Sequence, residues 1–189
     1  MTARRAGRNE ALRDSWFQAA NEILAGEGYG ALKLAPLCTR LGVTTGSFYH
    51  SFDSWQDFTD SLLDNWLRER TLQTVEIARR HDDAAERLLV LAQASADLLH
   101  RSEAAIRVWA GVDERVAVVQ RKVNETRHQV VHEAMSELVS PEAAERYTVW
   151  AMSTLVGYEM IASDHDRDQL LWSLQTLLAT ARADVRRES

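Results

Sequence analysis

Leu37-Cys38-Thr39-Arg40-Leu41-Gly42-Val43-Thr44-Thr45-Gly46-Ser47-Phe48-Tyr49-His50-Ser51-Phe52 sets a short apolar helix pattern, a glycine turn and a second short helix in one run. Leu37, Leu41, Val43, Phe48 and Phe52 fall where two short helices must share a core, which leaves Thr44, Thr45, Gly46, Ser47, Tyr49 and His50 pointing outward. That is the pattern of a helix-turn-helix, whose second helix lies in the DNA major groove. Compact hydroxyls and two ring tips on an exposed helix suit base edges and phosphates. A plain helical hairpin would not need so sharp a glycine-containing turn. Together with Lys33, these six outward residues form the candidate DNA-binding set.

Outward from this run the chain reads as helix after helix. Leu12, Trp16, Ala20, Ile23 and Leu24 keep a helical period from about Asn9 to Ala25, and Gly26, Gly28 and Gly30 end it. Because those glycines follow a helix and not a strand, they read as termination and not as a phosphate-cradling loop. Pro36 falls in the first turn of a second helix, where its missing N–H costs nothing. Ser54 with Asp57 offers a variant capping box for a fourth helix bearing Phe58, Leu62, Trp66 and Leu67. His81-Asp82-Asp83 precedes a helix with Leu88, Leu91, Ala92, Ala96 and Leu99, and Ser102 is expected to cap the short helix that carries Ile106 and Trp109. A long helix from Glu114 to Val139, one started by Ser140-Pro141 and one opened by Asp166 and Gln169 complete the count. The expected fold is all-α, about nine helices: a three-helix helix-turn-helix domain over 1–53 and an antiparallel helical bundle over 54–189.

Composition fits a two-part chain. Its 189 residues leave room for a small DNA-binding domain and one helical domain of ordinary size, and 46% hydrophobic residues suffice for a core. No apolar run approaches the roughly 18 residues of a membrane span, and the basic start Met1-Thr2-Ala3-Arg4-Arg5-Ala6-Gly7-Arg8 is not followed by the apolar stretch of a secretory signal. The expected location is cytoplasmic. The lone Cys38, set between Leu37 and Leu41, reads as a packed core residue. Six Lys or Arg oppose four acids in residues 1–52, while sixteen oppose twenty-four in the remainder, so the net −6 lies wholly outside the first part. An acidic chain argues against indiscriminate nucleic-acid binding but leaves room for a local basic footprint. Arg4, Arg5 and Arg8 are either an arm that reaches phosphate or a minor groove, or a solvated tail.

The segment from Glu10 to about Leu63, with its amphipathic first helix, the Gly28-Tyr29-Gly30-Ala31-Leu32 linker and Leu41-Gly42-Val43-Thr44-Thr45-Gly46-Ser47-Phe48-Tyr49-His50-Ser51-Phe52, resembles the N-terminal domain of the TetR/AcrR transcriptional repressors. The likeness continues more weakly through Arg107 to Asp113 and Ser140 to Glu145. It implies a regulator that binds a DNA operator, senses a small molecule in its helical domain and dimerises through a four-helix bundle of its last two helices. Relatives commonly place a phosphate-touching Lys after the recognition helix, where this chain has Trp55, and many carry Lys or Arg near Thr45 and a His near Ser51.

Trp150, Thr154, Gly157 and Ile161 share one helix face, and Leu170, Leu174, Leu177 and Leu178 stripe the last helix. They are the expected dimer seam, because a two-fold dimer reads two half-sites about 34 Å or a multiple apart; the bland reading is intrachain core. For the effector, Trp109, Arg127, Tyr147, Leu155 and Tyr158 are the expected lining. Arg127 shares the apolar face of Val116, Val123, Val130 and Ala134, so it needs a partner, either an internal carboxylate such as Glu159 or an anionic ligand. His128 and His132 have metal-ligand spacing, and Asp164-His165-Asp166 offers further ligands, yet nothing in the sequence brings them together; no metal or cofactor is expected. No G-x-S-x-G elbow, P-loop or dinucleotide fingerprint occurs, so no catalytic residue is expected. The expected function is a ligand-responsive homodimeric repressor released from a palindromic operator by a small molecule. The alternatives are a dimerisation module with weak or lost DNA binding, for which Trp55 is the strongest hint, and a helical-bundle enzyme without a motif.

Overall fold

The computed structural model describes residues 2–162, 164 and 166–188, with side chains from 12 to 184 apart from 163 and 165. Among these residues there is no strand. The order is α1 (Thr2–Glu27), a 3-10 turn (Tyr29–Ala31), α2 (Leu34–Leu41), α3 (Thr45–Tyr49), α4 (Trp55–Leu67), a π turn (Arg68–Leu72), α5 (Gln73–Ala78), α6 (Ala84–Ala96), α7 (His100–Ala110), α8 (Glu114–Ser136), α9 (Pro141–Ile161) and α10 (Arg167–Glu188). Helical geometry runs unbroken from α4 through the π turn into α5, so the described residues form nine rods.

Several rod ends are set by local chemistry. Gly28 and Gly42 take positive φ, 78° and 65°, which a residue without Cβ adopts freely. Gly42 ends α2 while its N–H and that of Val43 reach the Thr39 and Cys38 carbonyls. Ser54 Oγ accepts from the Asp57 N–H and the Asp57 carboxylate accepts from the Asp53 N–H, the reciprocal cap of α4. Asp83 caps α6 and Ser140, followed by Pro141, caps α9. The Asp166 carboxylate accepts from the Asp168 N–H at the start of α10. Ser102 differs from expectation: α7 begins at His100, so Ser102 lies inside it, buried, and its hydroxyl donates to the Asn21 carbonyl.

The chain divides into two compact units, Met1–Trp66 with Arg101–Val119, and Leu67–His100 with Gln120–Ser189. The expected boundary after residue 53 therefore falls inside the first unit. The reason is packing: Phe58 and Leu62 of α4 are fully buried, and Phe58 closes on Phe17, Phe48 and Phe52. In α7, the buried Glu103 carboxylate accepts from the indole N–H of Trp66. The second unit packs α5, α6, α8, α9 and α10. One cluster holds Leu88, Leu91, Val130, Met135, Tyr147 and Leu177, and a neighbouring one holds Ala92, Leu155, Leu170 and Leu174.

Candidate DNA interface and internal cavity

α3 has five residues, too few to hold its shape alone. It is held from below. Phe48 is 0% exposed and meets Trp16 edge-on at 5.5 Å and Phe52 at 5.3 Å. Arg13 lies 4.7 Å over the Phe52 ring and donates to Ser61 Oγ. With Phe48 and Phe52 turned inward, Thr44, Thr45, Gly46, Tyr49 and His50 are exposed and Ser47 is half-exposed. Tyr49 is 57% exposed while its ring edge rests on Phe48. Lys33, just before α2, is exposed and has no ion pair among the described residues. The candidate DNA-contact residues thus lie on or beside two adjoining short helices whose apolar sides are buried.

Trp55 has a task the sequence did not disclose. Its ring stacks with Phe48 at 6.0 Å and sits 5.1 Å from Phe58, so the residue after α3 joins the aromatic core. The nearby cation is also committed, since Arg40 pairs with Glu22 and Glu27. Arg4, Arg5 and Arg8 lie in the backbone span of α1, but their side chains are outside the described residues. Cys38 is buried, and burial raises its thiol pKa.

The second unit holds a partly open cavity of about 70 Å³. Its apolar wall comes mainly from Leu88, Leu91, Val130, Met135, Leu155 and Leu174, and its polar groups from Arg70, Thr71, Thr74, Ser95 and Arg127. Arg70 and Thr71 belong to the π turn, where one extra residue per turn shifts the side-chain register. Of the lining expected from sequence, Arg127 and Leu155 border this cavity. Trp109 does not: it belongs to the first unit and stacks on Tyr29. Tyr147 donates its hydroxyl to Asp184 and stacks on Trp150. Tyr158 packs edge-on against His100, where burial, reinforced by the Asp166 and Asp164 charges, raises its phenol pKa.

Arg127 takes the internal partner. Its Nε donates to Thr71 Oγ1 at 3.2 Å, and Nη1 lies 4.0 Å from Glu159 Oε1, both side chains being at most 10% exposed. His128 and His132 turn to the two oxygens of Glu145 at 3.4 and 3.6 Å. Among the described residues no three His, Cys, Asp or Glu are grouped to hold a metal; His165 lies outside them.

The last two helices separate the expected seam into two kinds of residue. Leu170, Leu174, Leu177 and Leu178 are at most 8% exposed and fill the unit's own core, so they offer a partner no surface, which corrects their placement at the dimer seam. Trp150 is 48% and Ile161 84% exposed, Thr154 and Gly157 are half-exposed, and α10 adds Trp172 at 67%.

An exposed short helix after a glycine turn, seated on an aromatic core in a structure whose described residues form helices and no strand, has the form of a helix-turn-helix. Residues 17–60 match the family "Bacterial regulatory proteins, tetR family". The chain as a whole is similar to a transcriptional regulator from Rhodococcus sp. (19% identity, 89% of this chain and 95% of that one, TM-score 0.75). It is also similar to a TetR regulator from Haloarcula marismortui (18%, 92% and 98%, TM-score 0.74). A third is a putative regulator from Saccharomonospora viridis in complex with choline (14%, 90% and 96%, TM-score 0.74). No curated protein matches. The match to the family model is confined to that N-terminal stretch, and the chain as a whole has the fold of these solved regulators.

Proposed function

We propose that the protein is a homodimeric transcriptional repressor that binds a palindromic operator through α2 and α3 and is released by a small molecule held in the cavity of the second unit. The observation that carries it is the pairing, in one chain, of an outward polar α3 and a part-polar internal cavity beside a π turn. In this reading Thr44, Thr45, Gly46, Ser47, Tyr49 and His50 meet base edges and phosphates, and Lys33 meets phosphate. The chain passes from its first unit to its second at Trp66–Leu67 inside one unbroken helix, and the π turn that borders the cavity starts at the next residue. A ligand that favours one setting of this turn changes DNA affinity through the helix, and by reciprocity DNA changes ligand affinity equally.

The cavity is small against the roughly 300–1,000 Å³ of drug-sized sites, so the effector is a compact molecule of few heavy atoms. The Saccharomonospora viridis relative was solved with choline, also a compact molecule. Two arginines in the lining make a quaternary cation a poor occupant here. Dimerisation uses the exposed outer face of α9 and α10, around Trp150, Gly157, Ile161 and Trp172. Selection from a random pool of double-stranded DNA tests the whole reading. Enrichment of a short palindrome is expected, and a pool that stays unenriched overturns it.

Among the described residues the cations near α3 are few: Lys33 is exposed, Arg40 is paired, and Trp55 fills a core position. Affinity is therefore expected to depend less steeply on salt than for proteins making 6–10 phosphate contacts, which lose about 10³–10⁵-fold between roughly 50 and 200 mM salt.

A further inference from the structure

The charges around the cavity do not cancel. Its wall holds two guanidinium residues, Arg70 and Arg127, and no carboxylate. Glu159, completely buried, stands 4.0 Å from Arg127 and balances that charge. Arg70 is half-buried and has no carboxylate within ion-pair distance among the described residues. Thr71 accepts from Arg127 and so keeps its own hydroxyl proton to donate. The cavity wall thus carries a net positive charge and a spare O–H donor, and apart from Thr74 and Ser95 the rest is Leu, Val, Ala and Met.

We propose that the effector is a short aliphatic monoanion, a carboxylate whose head is received by Arg70 and Thr71 and whose chain lies against Leu88, Leu155 and Leu174. This deepens the effector reading above and rests on it. Arg127 takes no leading part, because Glu159 balances its charge and its Nε and Nη2 donate to Thr71 and to the Arg70 carbonyl. Length is limited by volume. An engineered cavity of about 150 Å³ holds benzene, and this one has about 70 Å³. Met135 and Met152 line it, and these flexible side chains extend the usable space by changing rotamer.

The test is calorimetric titration of the full-length protein, near neutral pH, with the straight-chain carboxylates from butanoate to octanoate and the alcohols and amines of equal length. The carboxylate of the best length is expected to bind about ten- to a hundredfold more tightly than its alcohol, the usual scale of a charge-assisted hydrogen bond. The amine should bind least. Arg70→Met keeps the aliphatic stem and, with no ion pair to lose, should leave the melting temperature nearly unchanged while reducing the carboxylate preference to within about twofold. Arg70→Lys should restore part of it. Equal binding of acid and alcohol, or a preference that survives Arg70→Met, overturns the assignment but leaves the cavity as the effector site. No binding of any probe at any length overturns both.

Discussion

Tyr49 illustrates how one side chain serves two surfaces. Its ring edge rests on the buried Phe48 while more than half of the residue is exposed beside Thr45 and His50. Tyr49→Ala is expected to weaken operator binding about 5- to 150-fold, the loss of one contact worth about 1–3 kcal/mol. A gel-shift titration at fixed salt measures it, and unchanged affinity removes α3 from the interface. Arg127 is the opposite case, a charge committed inward. Arg127→Met takes the cation away from the buried Glu159 and should cost about 3–5 kcal/mol of stability. Chemical denaturation checks this, and replacing Glu159 by Leu in the same chain should recover part of the loss. A stability unchanged by Arg127→Met would show that the ion pair contributes nothing.

At the scale of elements, the helix-turn-helix depends on a backbone angle. Gly42 sits at φ 65° with no atom within 4 Å of where a Cβ would be, so a substituted side chain meets no neighbour and the whole cost is conformational. Gly42→Ala should therefore destabilise by about 1–2 kcal/mol, lowering the melting temperature by a few degrees without altering the cavity. Calorimetric melting of the two proteins side by side decides it; equal melting would mean that the turn relaxes to a negative φ. α3 itself has little intrinsic stability and borrows order from Trp16, Phe48, Phe52, Trp55 and Phe58. That explains Trp55 in place of a phosphate-touching Lys: the position has been given to the core that fixes the helix.

For the whole molecule, the proposed dimer rests on the outer face of α9 and α10. Gly157 is half-exposed and open above its Cα, so Gly157→Leu should leave the protomer's melting unchanged while a second copy is kept from close approach. Replacing Ile161 and Trp172 together by Glu should give a monomer at micromolar concentration, because two exposed apolar groups become charges at the contact. Light scattering reads both variants, and a dimer that persists in the Glu pair would move the interface elsewhere. Loss of the dimer should also reduce operator affinity, since each protomer then reads a single half-site.

The sequence by itself determined the all-α helix-turn-helix fold, because the deciding signals are local. A positive φ at Gly42, the caps at Ser54, Asp83 and Ser140, and apolar residues at helical spacing each act within a few residues of chain. It also indicated that Arg127 needed a partner and named Glu159 as one choice. Only the tertiary structure decided which partner each apolar stripe finds. A stripe records that a helix has a face to bury and says nothing of what buries it, so Leu170, Leu174, Leu177 and Leu178 looked like a dimer seam and are core. Trp109 looked like a pocket wall and stacks on Tyr29 instead. Arg70 gave no signal at all. Its place on the cavity wall follows from the π turn and from the helices that close around it, brought together by contacts between residues far apart in sequence.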